Sequence, residues 1–301
     1  MKRSNLLLVA LTLILFLPSL YFAQSSHEMI VPDNDYINNT INNDVNADGT
    51  RKDPLRVYVF KRDTKYYYNG IITNSNFPLV MKSANGKGKR PILVAKQDNL
   101  AAYPARMVDM KGDLTIKGLN INYYDWVDDP LNVSTGTGQI ITSTSAGFNM
   151  IIDSCLINAR SVTQTTAACK VVKITNSTMG EMFMLAGSSD WGGGKCIDLR
   201  NGSCDSLFIQ NCTFVNEQDR IVRHRAATVN LSNFIFDHNT IINDYAYHGV
   251  IELGYVGKKM QITNNLFVNP FCLGNDTDVV RQSEFDGSGE KDALNYSWKM
   301  A

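Results

Sequence analysis

The sequence predicts an all-β fold: a right-handed, single-stranded parallel β-helix with an N-terminal helical cap. Two observations carry this prediction. A short phrase of alternating apolar residues recurs along the 301-residue chain, and each copy bends at a small or amide residue. The central apolar residues of the copies are Ile116, Ile152, Ile174, Ile209, Phe236 and Ile262, at steps of 36, 22, 35, 27 and 26 residues. Repeats of about 20–50 residues are typical of solenoid proteins.

Each copy of the phrase is predicted to form two strands joined by a corner. Another apolar residue precedes the central one by two positions, which is the alternation of a strand. Two positions after the central residue stand Gly118, Ser154, Asn176, Asn211, His238 and Asn264. Gly and Asn accept a left-handed backbone, so this column is predicted to turn the corner. Two columns of the second strand are predicted to face inward: Leu119, Cys155, Ser177, Cys212, Asn239 and Asn265, then Ile121, Ile157, Met179, Phe214, Ile241 and Phe267.

A third strand precedes most copies, at residues 139–142, 196–200, 221–225 and 250–253. Three strands per turn predict a parallel β-helix, and the crossover rule predicts a right-handed one. From about Arg106 to Pro270 the pattern resembles the pectate-lyase-like right-handed β-helix superfamily. The resemblance implies the fold; that scaffold carries many activities and also non-enzymes.

The remaining segments complete the predicted domain organisation. Residues 1–23 have the charged start, the apolar stretch and the small-residue end of a secretory signal, which predicts a secreted, extracellular or periplasmic protein. Residues 24–55 are predicted as the cap, because Tyr36, Ile37, Ile41 and Val45 recur at helical spacing. The β-helix is assigned to residues 56–285, with strands at 56–61, 65–72, 79–81 and 91–94 in its first coils. Residues 286–301 are predicted to be a truncated or disordered tail.

Composition excludes some classes of partner. The chain has 29 basic and 29 acidic residues, so no net field favours nucleic acid, and no stretch after the signal is predicted to enter a membrane. Six cysteines all follow residue 150. Cys155 and Cys212 are expected to pack as small buried side chains. Cys196 and Cys204 flank one short turn and are the pair expected to form a disulfide.

A charged patch is predicted on the third strand. If Ile197, Leu199, Val222 and His224 point inward, the outward residues are Asp198, Arg200, Arg223, Arg225 and Glu252. Coils stack at about 4.8 Å, so these residues would line one surface together with Lys195. Arginine forks bind carboxylate or sulfate, which favours an acidic polysaccharide as the partner of a monomeric protein. Trp126 and Trp191, in two insertions, are predicted either to wall this groove and stack on sugars or to fold back over the coil.

The stretch from Asn211 to His224 is similar to the chondroitinase B and alginate lyase family, in which Arg-His-Gly follows an Asn-x-Thr-Phe strand. The resemblance implies β-elimination, with Arg223 as the catalytic arginine and Arg200 at the place of the family's lysine. Arg225 replaces the family's glycine. The family's calcium ligands would lie within residues 192–198, where Asp198 is the one acidic residue. No cofactor is therefore assigned, and calcium is left open.

Two other interpretations remain at this point. The arginines could form an electrostatic ladder with Asp198 and Glu252 on a non-catalytic adhesive or carbohydrate-binding module. A hydrolase would need paired carboxylates, for which Asp198 and Glu252 are the candidates. Asn46 to Gly49 resembles the start of a calcium loop, but the later ligands are missing, and a solvated turn is expected.

Overall fold

The structure, a computed structural model, describes residues 26–75, 77–122, 138–182, 194–199, 202–224, 231–244, 250–254 and 256–270. Within these ranges the chain forms one short helix and 24 strands, numbered β1–β24 in chain order, which pair in parallel in three sheets. The predicted signal (1–23), the tail (286–301) and a strand expected at 279–281 lie outside the described residues.

Sheet 1 contains nine strands: β1 (Glu28–Ile30), β2 (Val57–Phe60), β5 (Leu79–Ser83), β8 (Leu114–Lys117), β11 (Asn149–Asp153), β14 (Cys169–Thr175), β17 (Cys204–Gln210), β20 (Leu231–Asp237) and β23 (Val256–Thr263).

Sheet 2 contains seven strands: β4 (Ile72–Thr73), β7 (Arg106–Met110), β10 (Gln139–Ser143), β13 (Thr163–Thr165), β16 (Ile197–Leu199), β19 (Val222–His224) and β22 (Ile251–Leu253).

Sheet 3 contains eight strands: β3 (Lys65–Tyr68), β6 (Ile92–Ala95), β9 (Asn120–Asn122), β12 (Leu156–Asn158), β15 (Thr178–Gly180), β18 (Thr213–Val215), β21 (Thr240–Ile242) and β24 (Leu266–Val268).

From β2 onward the chain visits the sheets in the repeating order 1, 3, 2, and each strand pairs with the strand of the same sheet one coil away. This is a parallel β-helix, as the sequence predicted. Its handedness stays a prediction.

The six central residues of the repeat are predicted to stack on one another, and the strand register of sheet 1 confirms this. Ile116, Ile152, Ile174, Ile209, Phe236 and Ile262 are consecutive partners across β8, β11, β14, β17, β20 and β23. The first five are fully buried, and Ile262, in the last described coil, is partly buried against the same core. Stacked aromatic rings pack inside the coils of β18 and β20, where the ring centroids of Phe214 and Phe236 are 6.1 Å apart. A continuous apolar interior therefore holds the coils together.

The predicted corners between sheets 1 and 3 are also confirmed. Gly118, Ser154, Asn176, Asn211, His238 and Asn264 all have φ between 52° and 69°. The two inward columns that follow are buried through the described coils, apart from partly buried residues in the last one.

A second corner, between sheets 3 and 2, forms an asparagine ladder that the sequence analysis did not separate as a column. Asn216, Asn243 and Asn269 also have positive φ. Each side-chain amide donates to the residue one coil earlier: Asn269 to Asn243 at 3.1 Å, Asn243 to Asn216 at 3.2 Å and Asn216 to Glu181 at 2.8 Å. The ladder satisfies polar groups along one edge of the solenoid.

The N-terminal segment differs from its prediction in detail. Helix α1 spans only Ile37–Asn42, buries Ile37 and Ile41, and packs against β3 and β4. Val45 lies beyond it in an isolated bridge to Arg51. Strand β1 falls inside the segment assigned to the cap, because Glu28–Ile30 extends sheet 1 by pairing with β2. Whether α1 acts as a cap stays a prediction.

The disulfide expected between Cys196 and Cys204 is wrong. Both cysteines are free and buried. Cys196 directly precedes β16 in sheet 2, whereas Cys204 begins β17 in sheet 1, so the two belong to different walls of the solenoid. The neighbour of Cys204 in the register is Cys169, which is also free. Cys155 and Cys212 pack as small buried side chains, as predicted.

Candidate functional site

The outward face of sheet 2 carries a polar row that runs the length of the described solenoid. One residue per strand contributes to it, and each is the register partner of the next: Thr73, Asp109, Thr142, Gln164, Asp198, Arg223 and Glu252. The residues that flank Asp198, Arg223 and Glu252 within their strands face inward. The alternation of the strand thus places all seven on one line, with coils about 4.8 Å apart.

At one end of this row, Asp198 and Arg223 form a fork-to-fork ion pair. Arg223 Nε donates to Asp198 Oδ1 at 2.7 Å, and Arg223 Nη2 donates to Oδ2 at 2.5 Å. Gln164, the row residue on the other side, donates to Asp198 Oδ2 at 3.3 Å. Asp198 is 5 % exposed and Arg223 is 3 % exposed. This is the bidentate geometry in which an arginine holds a carboxylate most firmly.

Three residues next to the row extend the pair into a network. Arg220, which precedes β19, contacts Glu252 through Nε at 2.5 Å and Asp219 through Nη1 at 3.5 Å. Lys195 Nζ contacts Asp219 Oδ2 at 3.1 Å. We call these six residues the charge cluster: Lys195, Asp198, Asp219, Arg220, Arg223 and Glu252. Three cations face three carboxylates, so the cluster is neutral, and no member is more than 7 % exposed.

Lys195 is a member of the charge cluster whose pKa is shifted from its ordinary value. Burial lowers its pKa; the carboxylate of Asp219 opposes that effect, and the nearby guanidinium of Arg223 adds to it. A lysine with a lowered pKa carries a larger neutral fraction near neutral pH, and the neutral amine can accept a proton. Burial and the charge of Arg223 thus act against the protonated amine of Lys195, while its contact with Asp219 favours it.

His224 lies on the opposite side of strand β19 from Arg223. Its register partners are Leu199 and Leu253, and it is fully buried, as its predicted inward position requires. The Nε2 atom is 2.8 Å from Ser203 Oγ. The imidazole thus belongs to the interior rather than to the polar row.

A buried carboxyl group, that of Glu217, directly follows Asn216 of the asparagine ladder in sequence. Glu217 is fully buried, and neither of its carboxyl oxygens has a hydrogen-bond partner among the described residues. Burial raises its pKa well above the usual value, and the carboxylates of Asp244 and Glu181 raise it further. The equivalent position one coil earlier, two residues after the strand end, holds the apolar Met182.

The structure brings together part of the predicted site and corrects its character. Asp198, Arg223 and Glu252 are aligned on the outward face as predicted, and Lys195 joins them. They do not line an open groove: each of the four is 3–7 % exposed, and each contacts an opposite charge. Glu252 pairs with Arg220, which the sequence analysis did not select. Arg200, Arg225, Trp126 and Trp191 lie outside the described residues.

Sequence reasoning missed Asp219, Arg220 and Glu217. They occur together in the segment 217–220 between strands β18 and β19, to which the sequence analysis assigned no role of its own. A usable signal was present, because this connection is only six residues long. A short connection between two buried strands has to follow the solenoid wall closely, and its side chains are therefore buried more often than those of a long loop.

The paired-carboxylate interpretation finds little support in this geometry. Asp198 and Glu252 are two coils apart, with the strand of Arg223 between them, which corresponds to about 10 Å along the sheet. Each carboxylate is held by its own guanidinium. A glycosidase needs one of its two carboxyl groups protonated to act as an acid, and a guanidinium contact opposes protonation.

The described ranges contain no group of three or more His, Cys, Asp or Glu side chains placed to hold a metal ion. The loop at Asn46–Gly49 is an exposed turn, closed by a hydrogen bond from Gly49 N to Asn46 O. Asp48 accepts bonds from the backbone and the hydroxyl of Thr50, so its Oδ1 atom serves the turn itself.

Neither a protein-family model nor a curated protein sequence matches the chain. No helix among the described residues is long and apolar enough to cross a membrane.

Proposed function

We propose that the chain is an exported protein that binds an acidic polysaccharide along the polar row and cleaves it by β-elimination at the charge cluster. The observation that supports this proposal is the position of Lys195, a buried lysine with a lowered pKa beside Arg223. β-Elimination from a uronate needs these two functions at one place: a base for the proton next to the carboxylate and a cation to offset charge on that carboxylate.

Each residue has a defined role in this reaction. The substrate carboxylate binds Arg223 and competes with Asp198 for the guanidinium fork. The neutral amine of Lys195 removes the proton from the carbon next to the carboxylate. The electron pair of that C–H bond forms the new C=C bond and the glycosidic C–O bond breaks. The leaving oxygen keeps the electron pair of the C–O bond and takes a proton from water. Since the cluster is almost completely buried, binding has to open the Asp198–Arg223 pair.

The catalytic prediction concerns Lys195→Met. We expect wild-type protein incubated with alginate, pectate or chondroitin to release an unsaturated uronate, detected by its ultraviolet absorbance. Lys195→Met should lower that rate by about 100-fold or more, since general-base catalysis contributes about that much. Lys170→Met is the matched control, because Lys170 is an exposed lysine on sheet 1. Absence of unsaturated product from all three polymers, with and without calcium, would reject the enzyme proposal.

A second candidate function is a non-catalytic surface or adhesive module that binds the polysaccharide without cleaving it. The mutual pairing of all six cluster charges favours it, because paired, buried charges can serve structure alone. Retention of polysaccharide on the protein in affinity electrophoresis, with no product and no effect of Lys195→Met, would select this candidate. Export is tested separately by N-terminal sequencing of the mature protein, which should begin close to residue 24.

A further inference from the structure

A cavity of about 620 Å³ lies at the other end of the solenoid from the charge cluster. It is lined by the end of α1, the following turn, strand β4 and the residues just after β4. Strand β4 is the first strand of sheet 2, and β16 to β22 are the last three, so several coils separate the two places. The volume is within the range of small-molecule sites, about 300–1,000 Å³.

Arg51 is the one cation among the cavity-lining residues. Its Nη1 atom is fully used, because it donates to the carbonyl oxygens of Ile41 and Asp44 and to the hydroxyl of Tyr58. The guanidinium also stacks on Phe77, with its central carbon 3.6 Å from the ring centroid. These contacts fix the position and plane of the guanidinium before any ligand is bound.

No carboxylate among the described residues pairs directly with Arg51, although the charge of Asp44 is near enough to favour the guanidinium. The nearby carboxylate of Asp44 is used by Arg56 Nε at 3.0 Å and by the Tyr58 hydroxyl at 3.0 Å. Arg51 Nε is buried without a partner in the described ranges, and no bond of Nη2 to the protein is present there. Partial burial lowers the pKa of Arg51, and the charges of Tyr58 and Asp44 oppose that effect without cancelling it. This wall therefore presents a fixed cation that makes no direct ion pair and whose Nη2 group donates to no described residue.

The rest of the lining suits a sugar better than a bare anion. Thr73 and Ser75 contribute hydroxyl groups, and Asp48 contributes a carboxylate whose Oδ2 atom is not used by the turn. Pro54 and Pro78 supply apolar walls. A sugar ring is apolar on its faces and carries hydroxyl donors at its edge, which is complementary to such a mixed surface.

We propose that this cavity is a binding site for a uronate sugar, with the sugar carboxylate on the guanidinium of Arg51 and the sugar hydroxyls toward Asp48, Thr73 and Ser75. The site is independent of the proposed cleavage reaction, because no member of the charge cluster lines it. It would hold one or two sugar units, given its volume. Binding needs no ion pair to open, in contrast to the charge cluster.

The test is calorimetric titration of the full chain with glucuronate and galacturonate, with glucose, galactose and inorganic sulfate as comparison probes. We expect the two uronates to bind, and the neutral sugars and sulfate to bind at least about tenfold more weakly, since a charge-assisted hydrogen bond discriminates by about that factor. Ser75→Trp should abolish uronate binding by filling the cavity from an exposed position. Arg51→Met should weaken it at least about tenfold.

Lys52→Met is the matched control, because Lys52 is the exposed neighbour of Arg51 and does not line the cavity. Ser75→Trp also covers the case in which Arg51→Met fails to fold, since Ser75 makes no contact that holds the turn. Uronate binding that survives Ser75→Trp, or that is absent from wild type, would overturn the proposal. Equal affinity for sulfate and uronate would overturn the assignment of a sugar.

Discussion

Glu217 is fully buried beside Asp244 and Glu181, and burial followed by those two carboxylates raises its pKa well above 4.5. The folded state therefore binds a proton more tightly than the unfolded chain does. A carboxyl group of this kind favours folding most at pH values below its unfolded pKa. That contribution is lost as the pH rises from about 4.5 through the folded pKa.

We predict that Glu217→Met stabilises the protein at neutral pH, by about 1–3 kcal/mol, because it removes a buried polar group that lacks a partner among the described residues. The change copies Met182 at the equivalent position one coil earlier. Urea unfolding between pH 4 and pH 8 measures it. The variant should also lose part of the wild-type decline in stability with rising pH. Glu217→Gln is the control for shape, and an unchanged pH profile in both variants would show that Glu217 does not titrate in this way.

Asp198 and Arg223 provide a second prediction at this scale, because each is buried and depends on the other. Arg223→Ala should destabilise the fold by about 3–5 kcal/mol, since it leaves Asp198 as a buried charge without its main partner. The double variant Asp198→Leu with Arg223→Met should be close to wild type in urea unfolding, because it removes both charges and retains volume. Additive losses in the double variant would mean that the pair is not coupled.

The alignment of Asp198, Arg223 and Glu252 was predictable from sequence, because a strand of period two fixes which residues share a face. Their burial was not predictable in this way. Periodicity says which side of the sheet a residue occupies and nothing about what else packs on that side. The partnership of Arg220 with Glu252 was missed for a related reason, since Arg220 precedes its strand and follows no alternation.

At the scale of elements, corners decide where each coil turns. The six corner residues between sheets 1 and 3 share a left-handed backbone although only one of them is Gly. Asn211 is exposed, has φ of 55°, and its backbone N–H donates to Asp237 O at 3.1 Å in the next coil. The corner therefore depends on backbone conformation rather than on packing.

Asn211→Ala should cost about 1–2 kcal/mol of stability, because a Cβ without a local polar side chain disfavours the left-handed region. Asn211→Gly should cost less, since glycine adopts this conformation freely. Thermal unfolding of the two variants measures the difference. The result that contradicts this account is an alanine variant at least as stable as the glycine variant.

The corners between sheets 1 and 3 could be predicted because left-handed φ restricts residue choice so strongly. The helix was predicted longer than it is: α1 ends at Asn42, and Val45 leaves the helical pattern to bridge to Arg51. Four apolar residues at helical spacing do not determine where a helix ends, because capping and tertiary contacts decide its last turn. The asparagine ladder at 216, 243 and 269 was missed because the sequence analysis compared only the columns nearer the central residue.

At the scale of the molecule, the burial of the stacked central residues of sheet 1 changes along the solenoid. Ile174 and Ile209 are fully buried, whereas Ile262 is partly buried and Leu266 in β24 is 57 % exposed. In a solenoid each coil is stabilised mainly by its two neighbours. The coil of β23 and β24 is therefore expected to open at lower free energy than the coils of β14 and β17.

Hydrogen exchange followed by mass spectrometry should show this gradient. Peptides from 256–268 should exchange faster than peptides from 169–180 under native conditions, because fewer buried apolar contacts protect them. Peptides from 92–122, in the first half of the solenoid, serve as a second protected reference. Uniform protection across the three regions would contradict the proposed gradient and would indicate that the chain opens as one unit.

The polar row of sheet 2 takes a single side chain from each coil, and its neighbours within the strand belong to the core. The side chains that the row presents can therefore change by single substitutions outside the core. A substitution at one of these seven positions changes one side chain in a row that repeats about every 4.8 Å, while the inward residues of the strand stay the same. Where two row residues pair across coils, as Asp198 and Arg223 do, both have to change together for the fold to keep its stability. Duplicating a coil would add one residue to the row. The length of this surface can therefore change without a change in how the chain folds.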